Sequence, residues 1–151
     1  MATWADVAAS APELAERGER LLRAFTLAFL ATVRPDGGPR VHPVTITVHD
    51  GHLYAFLVHG TPKRADLLRD PRYALHSFPS FAGGAVASYV DDELVVFGTA
   101  HPIEDVRIRE AVAAVHNDTV HERDLLFELA VDRAQHKTRR DGKAVYTRWP
   151  S

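Results

Sequence analysis

The chain contains no cysteine. Disulfides, thiolate metal sites, iron–sulfur clusters and cysteine nucleophiles are therefore excluded together, and the usage fits a reducing compartment. A long apolar run is also missing. The best one, Phe25–Val33, spans nine residues and includes two threonines, whereas a membrane helix needs about twenty. Met1–Ser10 has no basic stretch ahead of an apolar one, so it does not read as a secretory signal, and a cytoplasmic location is expected. Excess charge is absent too. A formal net charge of -2 gives no general attraction to nucleic acid or to an anionic membrane surface. Neither a Gly-x-Gly-x-x-Gly, a Walker A nor a Gly-x-Ser-x-Gly pattern occurs, which argues against several common enzyme classes.

What remains is an ordinary globular composition. With 151 residues, 46% of them hydrophobic, the chain fits one domain over 1–151 that can bury a core without staples. Turn signals recur at short intervals: Pro35-Asp36-Gly37-Gly38-Pro39, Asp50-Gly51, Gly83-Gly84, Asp91-Asp92 and Asp141-Gly142. The runs between them are β-branched and aromatic, as in an antiparallel barrel or sandwich. An N-terminal helix is expected at about 11–24, with Leu14, Leu21 and Leu22 near one stripe. Strands are expected at Phe25–Val33, Arg40–Val48, His52–Val58, Arg72–Phe78, Glu93–Ile103, Leu125–Val131 and Lys143–Trp149. In Arg40–Val48, the residues His42, Val44, Ile46 and Val48 would share one face. Helices are expected at Pro62–Arg69 and Glu104–Asn117, with Glu104 and Asp105 in the first turn of the latter. Pro79–Val90 reads as a flexible loop. Six or seven antiparallel strands with few helices make a mainly β barrel.

One segment carries chemistry. In Gly60-Thr61-Pro62-Lys63-Arg64, Thr61 is a good N-cap and Pro62 suits the first helical position. Two cations follow at the end of a helix that already carries partial positive charge. A bound phosphate reverses that conflict, accepting from free backbone N–H groups and the Thr61 hydroxyl while Lys63 neutralises it. The competing reading is a solvated helix start on which the cations are tolerated.

The order of segments narrows the choice. Phe25–Val33, Arg40-Val41-His42-Pro43-Val44, the hairpin through Leu53–Val58, Thr61-Pro62-Lys63-Arg64-Ala65-Asp66-Leu67 and Asp70-Pro71-Arg72-Tyr73-Ala74-Leu75 follow in sequence. This resembles the pyridoxamine 5'-phosphate oxidase-like family of FMN-binding split barrels, and the related F420-dependent reductases. The resemblance implies a split β-barrel, a homodimer with cofactor in the dimer groove, and a flavin-dependent oxidoreductase acting on a small molecule. Arg40, Thr61 and Lys63 match phosphate ligands, with Arg64 as an auxiliary charge. Val41, His42 and Pro43 match the strand beside the isoalloxazine ring, Val58 closes the hairpin strand next to it, and Glu93 falls where a ring or ribitol contact often stands. FMN is the first cofactor implied, F420 the second and haem the third; a non-catalytic flavin or haem carrier is the alternative function. Pro62 stands where the true oxidases often carry Arg, and the segment after Thr138 is short for their substrate-binding C-terminus.

Nine histidines form no tight metal motif such as His-Glu-x-x-His, so no metal is expected. Two readings of His42 stand level: a cofactor hydrogen-bond partner, or a partly exposed strand histidine. Trp149 reads as a cap on the barrel core ahead of a cofactor contact.

Overall fold

A computed structural model describes residues 1–25, 27–78 and 92–151. The expected loop Pro79–Val90 lies outside the described residues. The chain begins with α1 (Trp4–Ser10), which the sequence reading did not anticipate. Thr3 and Asp6 form a reciprocal capping box there, satisfying helix-start donors that otherwise face water alone. Trp4 is fully buried and donates from its indole nitrogen to Glu19 at 3.0 Å. α2 (Pro12–Ala24) follows with Leu14, Ala15, Gly18, Leu21 and Leu22 on its buried stripe. Gly18 sits there because a Cβ would come within 3.1 Å of Leu94 and 3.2 Å of Trp4.

The strands are β1 (Ala28–Val33), β2 (Pro39–Val44), β3 (Thr47–His49), β4 (His52–Leu57), β5 (Arg72–Ser77), β6 (Glu93–Pro102), β7 (Leu125–Arg140) and β8 (Lys143–Trp149). All paired strands run antiparallel, in the order β2-β1-β5-β6-β7-β4-β3, with β8 on β7. The fold is mainly β, as expected. β2 and β3 lie at opposite ends of that order, yet only Thr45 and Ile46 separate them. Three peptide steps reach about 10 Å at most, so the sheet must curl until its two ends nearly meet. The result is a barrel left open between β2 and β3.

That closure explains why the expected single strand Arg40–Val48 is two. Val44 ends the pairing with β1, and Thr47 begins a new pairing with β4. The alternation predicted through Ile46 survives, but Thr47 and Val48 are then both buried, and the strand count rises to eight. Asp50 and Gly51 take positive φ values of 47° and 75°, the two-residue hairpin expected from Asp-Gly. β7 is longer than its predicted core because its two halves pair with different strands, β4 and then β8. Where the β6–β7 register shifts between Phe97 and Gly98, leaving Asp132 of β7 without an opposite residue, a Cβ on Gly98 would fall 1.8 Å from the Ala130 carbonyl oxygen. Only glycine lets the two strands approach that closely at this point.

The barrel interior holds Leu30, Leu53, Leu57, Leu75, Val96 and Leu129, covered by Trp4 and α2. Trp149 packs against this core and donates to the Ser10 hydroxyl at 2.7 Å. A smaller cluster of Tyr54, Val112 and Leu126 lies under α4 (Val106–Val115). Asp105 is the N-cap of α4 rather than a first-turn acid, accepting from the N–H groups of Arg107 and Ile108. Among the described residues no helix is long and apolar enough to cross a membrane.

Candidate functional site

The conformation-setting proline of α3 (Pro62–Arg69) places Lys63 and Arg64 in the first turn, as the sequence implied. What anchors this helix to the barrel is Asp66, which the sequence reading did not single out. Its carboxylate is 1% exposed. Oδ2 accepts from Arg40 Nε of β2 at 2.6 Å and from Thr32 Oγ1 of β1 at 2.8 Å. Oδ1 accepts from Arg69 at 3.3 and 3.4 Å. Burial opposes the charge, but the hydrogen bonds from Arg40 and Thr32 prevail, and the carboxyl lies below its ordinary pKa. Arg69 also donates to the Val33 carbonyl. One buried carboxylate thus ties three elements together.

The same contacts orient Arg40. It shares the inner face of β2 with His42 and Val44, whereas Val41 and Pro43 point outward and are exposed. Among the described residues the Nε bond to Asp66 is the one side-chain hydrogen bond Arg40 makes, so both Nη groups remain spare. His42 is half-buried, and its Nε2 is enclosed without a hydrogen-bond partner. Burial lowers its pKa, the Lys63 and Arg40 charges lower it further, and Asp66 opposes them. Lys63 is half-buried with no acid or hydrogen-bond partner among the described residues, and burial pushes its ammonium pKa down. Among the described residues these three nitrogen-bearing side chains keep unspent hydrogen-bonding capacity, and the Lys63 and Arg40 charges both act on the His42 ring.

Beside them lies a cleft of about 120 Å³ at the open side of the barrel, where the chain crosses from β2 to β3. Pro43, Val44, Thr45, Phe56, Val58 and Lys63 line it together with His116 and two acids, Asp118 and Asp124. His116 meets Thr47 Oγ1 through Nδ1 at 2.7 Å and packs edge-on against Phe56, ring centroids 5.0 Å apart. Burial lowers its pKa, against Asp118 and Asp124, so its ring favours the neutral form. The Arg109 guanidinium also lies over the Phe56 ring, 5.1 Å from its centre.

Other predicted residues are placed differently. The Thr61 hydroxyl does not cap α3; it donates back to the Val58 carbonyl at 2.8 Å. The turn at Gly60, φ 77°, brings that carbonyl within reach. Arg64 donates to the Arg123 carbonyl at 2.7 Å and so braces the segment before β7. Glu93 is held by Lys137 at 3.3 Å and by His76 at 3.8 Å, and it does not line the cleft. Lys63, Pro43 and Val58 thus share the cleft, while Arg40 and His42 lie on the neighbouring face of β2. Glu93 and Val41 stand apart from the cleft within one chain. Asp66, Thr32, Phe56 and His116 were missed. Only Asp66 carried a sequence signal, since an acid between Arg64 and Arg69 on a short helix invites an ion pair.

A family model described as pyridoxamine 5'-phosphate oxidase matches residues 14–138. No curated protein matches the chain. Among solved structures, a haem-binding protein from Mycobacterium smegmatis superposes with a TM-score of 0.69 at 22% identity. That match covers 89% of this chain but only 57% of the other. A NimC/NimA family protein from Clostridium acetobutylicum gives 0.63 at 13% identity, covering 88% and 90%. HutZ, the haem storage protein from Vibrio cholerae, gives 0.58 at 16%, covering 81% and 89%. At these identities the likeness is one of fold.

Proposed function

The chain belongs to the pyridoxamine 5'-phosphate oxidase family, and on that premise we propose that it binds FMN as a homodimer and acts as an oxidoreductase on a small molecule. The observation that carries this reading is the cationic corner at the start of α3. Among the described residues Lys63 has no counter-ion, Arg40 has spare Nη groups, and an enclosed His42 nitrogen lacks a partner. A buried imidazole nitrogen left unpaired costs about 1–3 kcal/mol. A phosphate would answer Lys63 and the Arg40 Nη groups, aided by the free N–H groups of the first helical turn.

The rest of the cofactor has supporting features too. β2 pairs with β1 on one edge only, so its other edge offers backbone groups to a flat ring. The cleft of about 120 Å³ falls short of the roughly 300 Å³ or more of a typical cofactor pocket. A second copy would supply the missing walls. The outer sheet face suits such a copy: Val41, Ala31, Ala74 and Phe97 form one cross-strand row, and Pro43, Phe29, His76 and Val95 the next. Seven of these eight residues are apolar, and Val41, Phe29 and Phe97 are exposed. Contiguous apolar surface of this kind marks an interface.

Bound flavin would supply hydride chemistry; Arg40 and Lys63 would hold its phosphate and β2 would orient its ring. The test is a titration of wild type and Lys63→Ala with FMN, F420 and haem. FMN should bind wild type with a change in flavin absorbance, and Lys63→Ala should bind it ~10- to 100-fold more weakly. Binding of F420 in preference to FMN replaces the cofactor, and a Soret band without flavin binding replaces the function with haem carriage. Equal FMN affinity for both proteins removes Lys63 from the site.

A further inference from the structure

Lys63 shares the cleft with a buried acid. Asp124 lines it and is only 6% exposed. Its Oδ2 accepts from the His121 N–H at 2.8 Å, whereas Arg109 donates to its main-chain carbonyl and not to its carboxylate. Among the described residues Oδ1 therefore has no hydrogen bond, and no cation pairs with the group. A carboxylate taken this far out of water calls for further donors. The charges of Asp118 and Asp124 both act on the His116 ring. His116 spends Nδ1 on Thr47 at 2.7 Å and has no partner at Nε2 among the described residues. Val44, Phe56 and Val58 supply apolar wall beside these polar groups.

Charge decides what such a cleft takes. Asp118 and Asp124 oppose an anion inside it, and Lys63 opposes a cation. A neutral chain of hydroxyl groups meets neither penalty. Its hydroxyls can donate to Asp124 Oδ1 and bond with His116 Nε2, while its carbons lie against the apolar wall. The volume of about 120 Å³ suits a short chain and not a fused ring system. Lys63 stands where the cleft meets the Arg40 face of β2, because it lines the cleft and acts with Arg40 on His42. We infer that the cleft is a polyol subsite, in which Asp124 and His116 bind the hydroxylated chain of the cofactor while its phosphate stays outside, between Lys63 and Arg40. This inference rests on the cofactor reading above and deepens it. The ribityl chain falls to residues of the α4–β7 segment, and its hydroxyls become a determinant of affinity.

The experiment titrates the protein, by calorimetry and flavin absorbance, with FMN and with a flavin whose phosphate sits on an unsubstituted pentyl chain. Wild type should bind FMN about 10- to 100-fold more tightly than the pentyl analogue, the range for hydrogen bonds to a charged group. Asp124→Ala should lose that preference, while its affinity for the analogue stays within about twofold of wild type. Asp124→Asn keeps an acceptor for the His121 N–H and serves if the alanine variant does not fold. It should lose about 3- to 10-fold in affinity for FMN and nothing for the analogue. Equal affinity of wild type for both ligands, or FMN affinity unchanged in Asp124→Ala, overturns the polyol subsite and leaves the phosphate site intact. A loss that strikes FMN and the analogue alike in the Asp124 variants assigns Asp124 to the fold and overturns its role here. FMN that fails to bind wild type overturns this inference and the cofactor reading together.

Discussion

Two charged groups one turn apart on α3 meet opposite fates. Asp66 is buried and answered from every side, by Arg40, Thr32 and Arg69. Lys63 is half-buried and, among the described residues, answered by nothing. Taking a charge out of water is costly unless partners replace the solvent. Asp66 meets that condition within the chain and therefore serves the fold. Lys63 does not, which is why it is the cation assigned to the proposed phosphate. The contrast separates a charge spent on the fold from one left for the proposed ligand.

The comparison breaks most visibly at Asp66. Asp66→Ala strands Arg40 beside an empty partner position, and chemical denaturation should show a loss of about 3 kcal/mol or more. The acid dependence follows from the same pairing. Because its folded pKa lies below the ordinary carboxylate value, Asp66 contributes stability above about pH 4. That contribution disappears as pH falls through the folded pKa. Asp66→Asn should accordingly flatten the stability profile below about pH 4, seen in thermal melts across that range.

Arg40 belongs to both sides of the comparison. Replacing it by Met should lower stability by about 2 kcal/mol, the worth of a hydrogen bond to a charged group, and should also weaken FMN binding. A stability loss without an affinity loss would place Arg40 wholly with the fold. Lys63→Met should show the smallest effect on stability, between no change and a gain of about 1 kcal/mol, since it removes a charge that burial disfavours. A clear loss of stability in Lys63→Met, read by denaturant midpoint, would mean that the two charges do not divide as described.

Much of this was legible beforehand because its causes are local. Asp50-Gly51 can form a two-residue hairpin on its own φ preferences, and Pro62 starts a helix by its fixed geometry. The capping box Thr3–Asp6 was equally local, but a seven-residue helix has too little periodicity to stand out. The division between β2 and β3 was not legible. Nothing in Thr45-Ile46 announces a break; it exists because β1 and β4 claim the two halves. The site divides the same way. Lys63 was singled out from the helix start and Arg40 from the family resemblance, whereas the buried Asp66 hub joins residues 26 and 34 positions apart.

The sequence by itself determined the helix start that carries Lys63, the turns, and the alternation that makes the barrel strands, because each depends on neighbours in the chain. Only the tertiary structure decided which charges are spent. Packing of the sheet against α3 gives Asp66 two donors from β1 and β2 beside Arg69 of its own helix, and leaves Lys63 and the His42 nitrogen without a partner among the described residues. Burial and pairing are properties of packed surfaces, and a linear pattern of residue types does not contain them.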